Sequence, residues 1–79
     1  MPMNQSATLE LDLSGLTCPM PLLKTKQALN RLQSGAIVKV VATDPASERD
    51  FQVFAEQSGN RLLSSEKRED HFVYLLMKK

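Results

Sequence analysis

Cysteine and histidine are almost absent from this sequence. Its 79 residues include one cysteine, Cys18, and one histidine, His71. A single cysteine cannot form a disulfide within the chain, and one cysteine with one histidine cannot supply the four ligands of a structural zinc site. A small redox enzyme is disfavoured too, because Cys18 has no second thiol in the chain to resolve an oxidised state. We therefore expect a free thiol, no metal and no cofactor.

An excess of charge of either sign is also missing. Ten Lys and Arg residues are balanced by nine Asp and Glu residues, whereas proteins that bind nucleic acid through its phosphates carry a marked basic excess. Glycine is scarce, at three residues, so no glycine-rich phosphate loop can form. These counts argue against direct nucleic-acid binding and against a phosphate-cradling loop.

Long apolar runs are absent. The longest, residues 72–77, is far shorter than the about 20 residues that cross a bilayer. The first eight residues lack the basic start and apolar middle of a secretory signal. We therefore expect no membrane segment and a cytoplasmic location. At this length we expect one domain over residues 8–79, behind a flexible lead over residues 1–7.

The distribution of apolar residues predicts six elements. Residues 8–13 alternate, with Leu9, Leu11 and Leu13 on one face, as in a strand with one solvated side. Residues 36–42 are nearly continuously apolar and β-branched, which favours a buried strand. Asp44 followed by Pro45 is typical of a helix start. The predicted elements are a strand at 8–13, a helix from 19 to 32 or 33, a strand at 36–42, a helix at 46–57, a strand at 61–65 and a strand at 71–77.

The order βαβαββ defines the fold class. Two right-handed crossovers place both helices on the same face of the sheet. The sequence thus predicts an α/β (α+β) two-layer sandwich, with a four-stranded mixed sheet and two helices on one face. The last strand is the most apolar and the third is among the most polar, so we expect the last strand inside the sheet and the third at its edge.

Cys18 stands where the loop after the first strand leads into the first helix. Gly15 is a turn signal, Pro19 suits the first helical position, and Pro21 removes another amide near the helix tip. We expect Cys18 to be the cap residue, with the helix dipole and the Met20 amide available to a thiolate. Both favour the charged sulfur, so a lowered pKa is predicted for Cys18. The competing interpretation, a small buried thiol, fits this junction less well.

Charge near Cys18 is one-sided in the sequence. Residues 14–43 contain four cationic side chains and no acidic one, which also favours a thiolate. Parallel strands end at the same edge of a sheet, so Asp44 would lie nearby and oppose that effect. Asp44 itself is expected to cap the second helix. Contact between His71 and Cys18 is conceivable, although a surface position explains His71 better.

A helical wheel divides the first helix into two sides. The sheet-facing side is apolar except for one threonine and comprises Leu22, Thr25, Ala28, Leu29 and Leu32. The partner-facing candidates on the remaining surface are Met20, Leu23, Lys24, Lys26 and Arg31. This surface is either a docking site for acidic partners or an ordinary solvated helix face.

The residues around Cys18 resemble a known family. The stretch Gly15-Leu16-Thr17-Cys18-Pro19-Met20-Pro21, together with Thr43-Asp44-Pro45-Ala46 and Arg49-Asp50, is similar to the TusA, or SirA-like, sulfur carriers, whose signature is Cys-Pro-x-Pro at the start of the first helix. The similarity spans residues 9–78. It implies the βαβαββ two-layer fold and a persulfide carried on Cys18. The family positions are also matched by Pro19, Pro21 and Asp44.

The resemblance also implies partners. A cysteine desulfurase or another persulfide donor would load Cys18. A downstream acceptor protein would receive the sulfur for 2-thiouridine in tRNA, molybdenum cofactor or related sulfur metabolism. The tRNA-thiolation member has an acidic residue at the position of Met20 and an arginine at that of Lys26, so these positions bear on which partners are used.

Two further expectations complete the sequence-based interpretation. We expect a monomer, because the thiol must reach two partners in turn. The alternative function is an RNA-binding or regulatory α/β module without sulfur chemistry, which the balanced charge and scarce aromatic residues disfavour.

Overall fold

The computed structural model describes residues 7–79. Its elements are, in chain order, β1 (Leu9–Leu13), α1 (Met20–Asn30), β2 (Ile37–Ala42), α2 (Ser47–Ser58), β3 (Arg61–Lys67) and β4 (Phe72–Met77). The predicted flexible lead, residues 1–7, lies outside the described residues except for Ala7. No helix within residues 7–79 has the length and apolar character needed to cross a membrane.

The sheet has the strand order β1-β2-β4-β3. β1 and β2 are parallel, and β4 is antiparallel to both of its neighbours. The predicted two-layer α/β fold is therefore confirmed, with the last strand inside the sheet and the third at its edge. β3 extends to Lys67, beyond its predicted end at Ser65, and carries an irregularity between Leu62 and Ser64.

The core lies between the two helices and one face of the sheet. Alternate residues of β2 are buried, and Val38 and Val40 have no accessible surface. Leu29 of α1 is buried against the same cluster. The Phe51 ring of α2 stacks on the Tyr74 ring of β4, with centroids 4.6 Å apart. Burying an apolar side chain of this size contributes about 1.5–3 kcal/mol, so these contacts hold both helices on one face.

α1 is shorter than predicted at both ends. It begins at Met20, with Pro19 as its N-cap residue, and ends at Asn30, with Arg31 as its C-cap residue. The Arg31 and Leu32 N–H groups donate to carbonyls three residues earlier. This tighter turn ends the regular α-helix before the predicted boundary.

Candidate functional site

The loops that follow β1 and β2 meet at one edge of the sheet. The Gly15 N–H donates to Thr43 Oγ1 at 2.9 Å, and the Cys18 N–H donates to Asp44 Oδ2 at 2.9 Å. Gly15 has a φ of +83°, in the left-handed region that favours glycine. The turn therefore needs Gly15, and the two hydrogen bonds hold the cysteine loop against the segment that leads into α2.

Asp44 does not cap α2, so this prediction is wrong. α2 begins at Ser47, and its N-cap residue is Ala46, without a side-chain cap. The Ser47 N–H donates to the Asp44 carbonyl at 3.0 Å, which forms a turn between Asp44 and the helix. Asp44 Oδ1 lies 3.4 Å from the Ala46 nitrogen, while Oδ2 accepts from the Cys18 amide. Because the turn intervenes, Asp44 links the two loops instead of capping the helix.

Cys18 precedes the cap of α1 and does not form it, contrary to the prediction. Pro19 occupies the N-cap position, Pro21 is the second helical residue, and the Cys18–Pro19 peptide bond is cis. The Met20 N–H donates to the Thr17 carbonyl at 2.8 Å. That amide is therefore engaged within the loop and not with the sulfur. The thiol itself is exposed, which confirms the exposed junction and excludes the buried alternative.

Two carboxylates approach the Cys18 sulfur. Sγ and one carboxylate oxygen from each of Asp44 and Asp50 lie within 4.8 Å of one another. The pKa of Cys18 is raised above its ordinary value, because the neutral thiol is favoured as a hydrogen-bond donor towards the Asp50 carboxylate, the sulfur loses some hydration, and both carboxylates are negative. The predicted lowering is therefore wrong. At neutral pH the sulfur rests as the neutral thiol.

The predicted direction of the Cys18 pKa shift was wrong because the prediction gave most weight to the four cationic side chains of residues 14–43. It gave less weight to Asp44 and did not include Asp50, and these two acids lie beside the sulfur. Lys24 and Lys26 on α1 and Arg31 at its C-cap are all exposed, so solvent and salt screen their charge. Asp50 lies in the first turn of α2 and reaches the sulfur only through the packing of the two loops. Asp50 is the site residue that sequence reasoning missed. Its one signal was the Arg49-Asp50 pair within the family resemblance.

The same three side chains are the one group with metal-ligating potential found within residues 7–79. Cys18 is exposed, and Asp44 and Asp50 are half-buried. The group lacks the fourth protein ligand of a structural zinc site. The expectation that no metal is used stays a prediction.

α1 presents the predicted partner residues to solvent. Met20 and Leu23 are 39% and 43% exposed, which is high for large apolar side chains. The buried residues of α1 are Pro21, Thr25 and Leu29. Pro21 therefore belongs to the packed face, where its carbonyl accepts a hydrogen bond from Thr25 Oγ1 at 2.9 Å.

His71 does not pair with Cys18. Its Nδ1 lies 2.7 Å from Asp70 Oδ1. It lines a groove of about 620 Å³ with Glu10, Asp12 and Lys39, on the sheet face that the helices leave uncovered. Cys18 is not among the lining residues, so this groove is separate from the thiol site.

Known proteins are similar to this chain in sequence and in fold. Residues 9–79 match a family model described as sulfurtransferase TusA. The chain is 48% identical over 69 residues to a sulfur carrier protein TusA from Allochromatium vinosum, covering 87% of this chain and 91% of that protein. It is 37% identical over 76 residues to a sulfur carrier protein TusA from Pseudomonas syringae pv. syringae, covering 96% and 90%. The crystal structure of a SirA-like protein from Desulfitobacterium hafniense superposes with a TM-score of 0.78 at 26% identity, covering 89% of this chain and 96% of that one.

Fold and site together define a class of small two-layer α/β proteins that display one exposed cysteine between a strand and a helix. The chain belongs to the TusA family. The predicted membership of this family is thereby confirmed.

Proposed function

We propose that this protein is a sulfur carrier that holds sulfane sulfur as a persulfide on Cys18. The observation that carries the proposal is an exposed thiol at the junction of two tied loops, in a chain of the TusA family. Gly15 and Asp44 fix the loop through hydrogen bonds, while Pro19 and Pro21 form the start of α1 beside it. The sulfur thus has a defined position from which two partners can reach it.

Loading moves one sulfur atom with no net oxidation or reduction. The Cys18 thiolate attacks the outer sulfur of a persulfide on the donor protein. An S–S bond forms at Cys18, the donor's S–S bond breaks, and the donor cysteine leaves as a thiolate. In the second step an acceptor thiolate attacks the outer sulfur of the Cys18 persulfide, and Cys18 leaves as the thiolate.

The raised pKa makes deprotonation part of loading. One Asp50 carboxylate oxygen lies within 4.8 Å of the Cys18 sulfur, and from there it is placed to take the thiol proton as the sulfur attacks. The neutral thiol is a weak nucleophile, so Cys18 reacts slowly with unrelated electrophiles. Asp50 therefore has two roles: it suppresses the free thiolate and receives its proton during transfer.

The proposed donor is a cysteine desulfurase or another protein persulfide in the cytoplasm. The proposed acceptor is a protein that supplies sulfur for 2-thiouridine in tRNA, molybdenum cofactor or related sulfur metabolism. Docking uses exposed Met20 and Leu23 beside the cations Lys24, Lys26 and Arg31, which complement an acidic donor surface. The carrier acts as a monomer, and it needs neither a cofactor nor contact with nucleic acid.

Intact-mass measurement tests the carrier role directly. After incubation with a cysteine desulfurase and cysteine, the parent protein should gain one sulfur atom that a reductant removes, and Cys18→Ser should gain none. A persulfide-bearing rhodanese serves as a second donor. A parent protein that gains no sulfur from either donor would overturn the proposal and favour the regulatory or RNA-binding module.

A further inference from the structure

The two edge strands of the sheet differ in their protection against strand pairing. β3 carries the irregularity at Leu62 and Ser64 and ends in a lysine, Lys67, and both an irregular register and an edge lysine block strand addition. β1 pairs with β2 in unbroken register from Leu9 to Leu13 and contains neither proline nor lysine. β1 is therefore the open edge.

The backbone of β1 offers unpaired groups along this edge. The Lys78 N–H donates to the Ala36 carbonyl, so the even-numbered residues of β2 bond towards β4 and the odd-numbered ones face β1. Within β1, where Leu9 pairs with Val38, this alternation turns the N–H and C=O groups of Glu10 and Asp12 outward. Thr8, just before β1, departs from it and donates its N–H to the Ile37 carbonyl at 2.6 Å. No strand pairs with the outer side of β1, and no loop or turn backbone group within residues 7–79 bonds to Glu10 or Asp12.

On the helix side, the open edge borders a groove of about 400 Å³ between β1 and α1. Its floor is formed by Leu9, Leu11 and Leu13, and Leu9 is 36% exposed. Lys24 and Arg31 also line it. A strand added to β1 would direct alternate side chains into this groove. Apolar side chains would contact the leucines there, and carboxylates would meet the two cations.

On the other side of the sheet, an added strand would lie beside Glu10 and Asp12, which are both exposed. Like charges directly opposite one another destabilise a strand pair. If two copies of this chain paired through β1, Glu10 and Asp12 of one copy would lie opposite those of the other. Lys24 and Arg31 of the two copies would also come close together. The charges therefore disfavour self-pairing and favour a partner with basic side chains on this side.

We propose that the β1 edge binds an extended segment of another protein as a fifth strand. The segment presents an apolar residue between acidic residues to the groove, and basic residues to Glu10 and Asp12. Lys24 and Arg31 are seven residues apart, about 10 Å along the helix, close to the about 13 Å between the first and fifth residues of a strand. This site does not involve Cys18 and goes beyond the proposed sulfur transfer.

Two peptides of identical composition test the charge pattern. Thr-Glu-Lys-Ile-Lys-Glu-Thr has the complementary pattern in either chain direction, and Thr-Lys-Glu-Ile-Glu-Lys-Thr has the two charges exchanged. Titration of the full chain, followed by the NMR shifts of the Glu10 and Asp12 amides, should show binding of the first peptide about tenfold tighter than the second. Equal affinity for the two peptides, or no shift with either, would overturn the proposal.

Backbone methylation separates strand addition from simple groove binding. One version of the first peptide carries N-methyl groups on its odd-numbered residues and another on its even-numbered residues. Only one edge of an added strand faces β1, so one version should lose binding and the other should retain it. Retention by both versions would refute a fifth strand.

Variants of the chain locate the site. Lys24→Glu combined with Arg31→Glu should reduce or reverse the preference between the two peptides, whereas Lys26→Glu, outside the groove lining, should preserve it. An unaltered preference in the double reversal would place binding elsewhere. Cys18→Ser should bind the peptides like the parent. The test of peptide binding is therefore independent of the test of sulfur transfer.

Discussion

The Cys18 sulfur lies between influences of opposite sign. The N-terminus of α1 favours a negative charge, whereas Asp44 and Asp50, each with a carboxylate oxygen within 4.8 Å of the sulfur, disfavour one. The pKa of Cys18 is shifted upward, first by its interaction with Asp50 and then by desolvation and the negative charge of both carboxylates. The hydrogen bond from the Cys18 N–H to Asp44 holds one of these carboxylates in place. The geometry of the loop therefore affects the reactivity of the thiol.

Replacing Asp50 by asparagine should lower the pKa of Cys18, because the variant removes a negative charge and weakens the acceptor. Iodoacetamide alkylation followed against pH should give a parent midpoint above the ordinary thiol value of about 8.5 and a lower midpoint in Asp50→Asn. Below the parent pKa the variant should react faster. Well above both pKa values the two rates should converge.

The matched control is Glu56→Gln, which makes the same charge change at an exposed position of α2 and should leave the midpoint unchanged. A midpoint that Asp50→Asn fails to move would mean that Asp50 does not set the pKa of Cys18.

Cys18→Ser should separate folding from transfer. The side chain is exposed, and the Cys18 hydrogen bond to Asp44 uses the backbone amide, which serine retains. We expect the free energy of unfolding in urea to change by less than about 0.5 kcal/mol, with persulfide loading abolished. Thr17→Ser, an exposed neighbour, should load like the parent. A variant that lost its circular dichroism spectrum would show that the sulfur is needed for packing.

Among the elements, α2 is anchored to the sheet at its first residue. The hydroxyl groups of Ser47 and Tyr74 lie 2.7 Å apart in a buried hydrogen bond. Desolvation is the main cause that raises the pKa of Tyr74, which keeps the phenol neutral and able to donate. This bond fixes the start of α2, one turn before Asp50, and so supports the position of a carboxylate beside Cys18.

Tyr74→Phe should destabilise the fold by about 1–2 kcal/mol, because it leaves a buried serine hydroxyl without a partner. Ser47→Ala should have a similar effect, since it orphans the phenol. Urea unfolding of both variants and of the double variant closes a mutant cycle. In that cycle, the second substitution should lower the free energy of unfolding by less than the first. Strict additivity would show that the two hydroxyl groups are not coupled.

How far the elements could be predicted depends on the range of the forces that set them. The alternation of Leu9, Leu11 and Leu13 predicted β1 correctly, because a strand that is buried on one face has a local alternating pattern of apolar residues. The starts of α1 and α2 were misplaced because they depend on bonds across loops, such as Cys18 to Asp44. The approach of Asp50 to the thiol likewise results from tertiary packing, and no periodic pattern of residues in the sequence predicts it.

At the scale of the whole molecule, the predicted partner surface is divided in two. Lys24 and Arg31 line the groove beside β1, whereas Met20, Leu23 and Lys26 are outside its lining. The uncovered face of the sheet carries a second groove, of mixed charge, around Glu10 and Lys39. The thiol and the β1 edge are thus separate features, whereas Lys24 and Arg31 belong both to the proposed donor surface and to the groove.

Reversal of the α1 charges should distinguish these surfaces. Steering of an acidic donor depends on the summed field near Cys18, and exposed charges act mainly on the association rate. We therefore expect both Lys26→Glu and the pair Lys24→Glu with Arg31→Glu to slow persulfide loading, with little effect on urea unfolding. Loading of the parent should slow as salt is added, and loading of the double reversal should be nearly independent of salt. Only the double reversal should alter the peptide preference. Parent loading that ignores ionic strength, or reversed variants that load at the parent rate, would show that α1 presents an ordinary solvated face and would move donor recognition to the exposed side of α2.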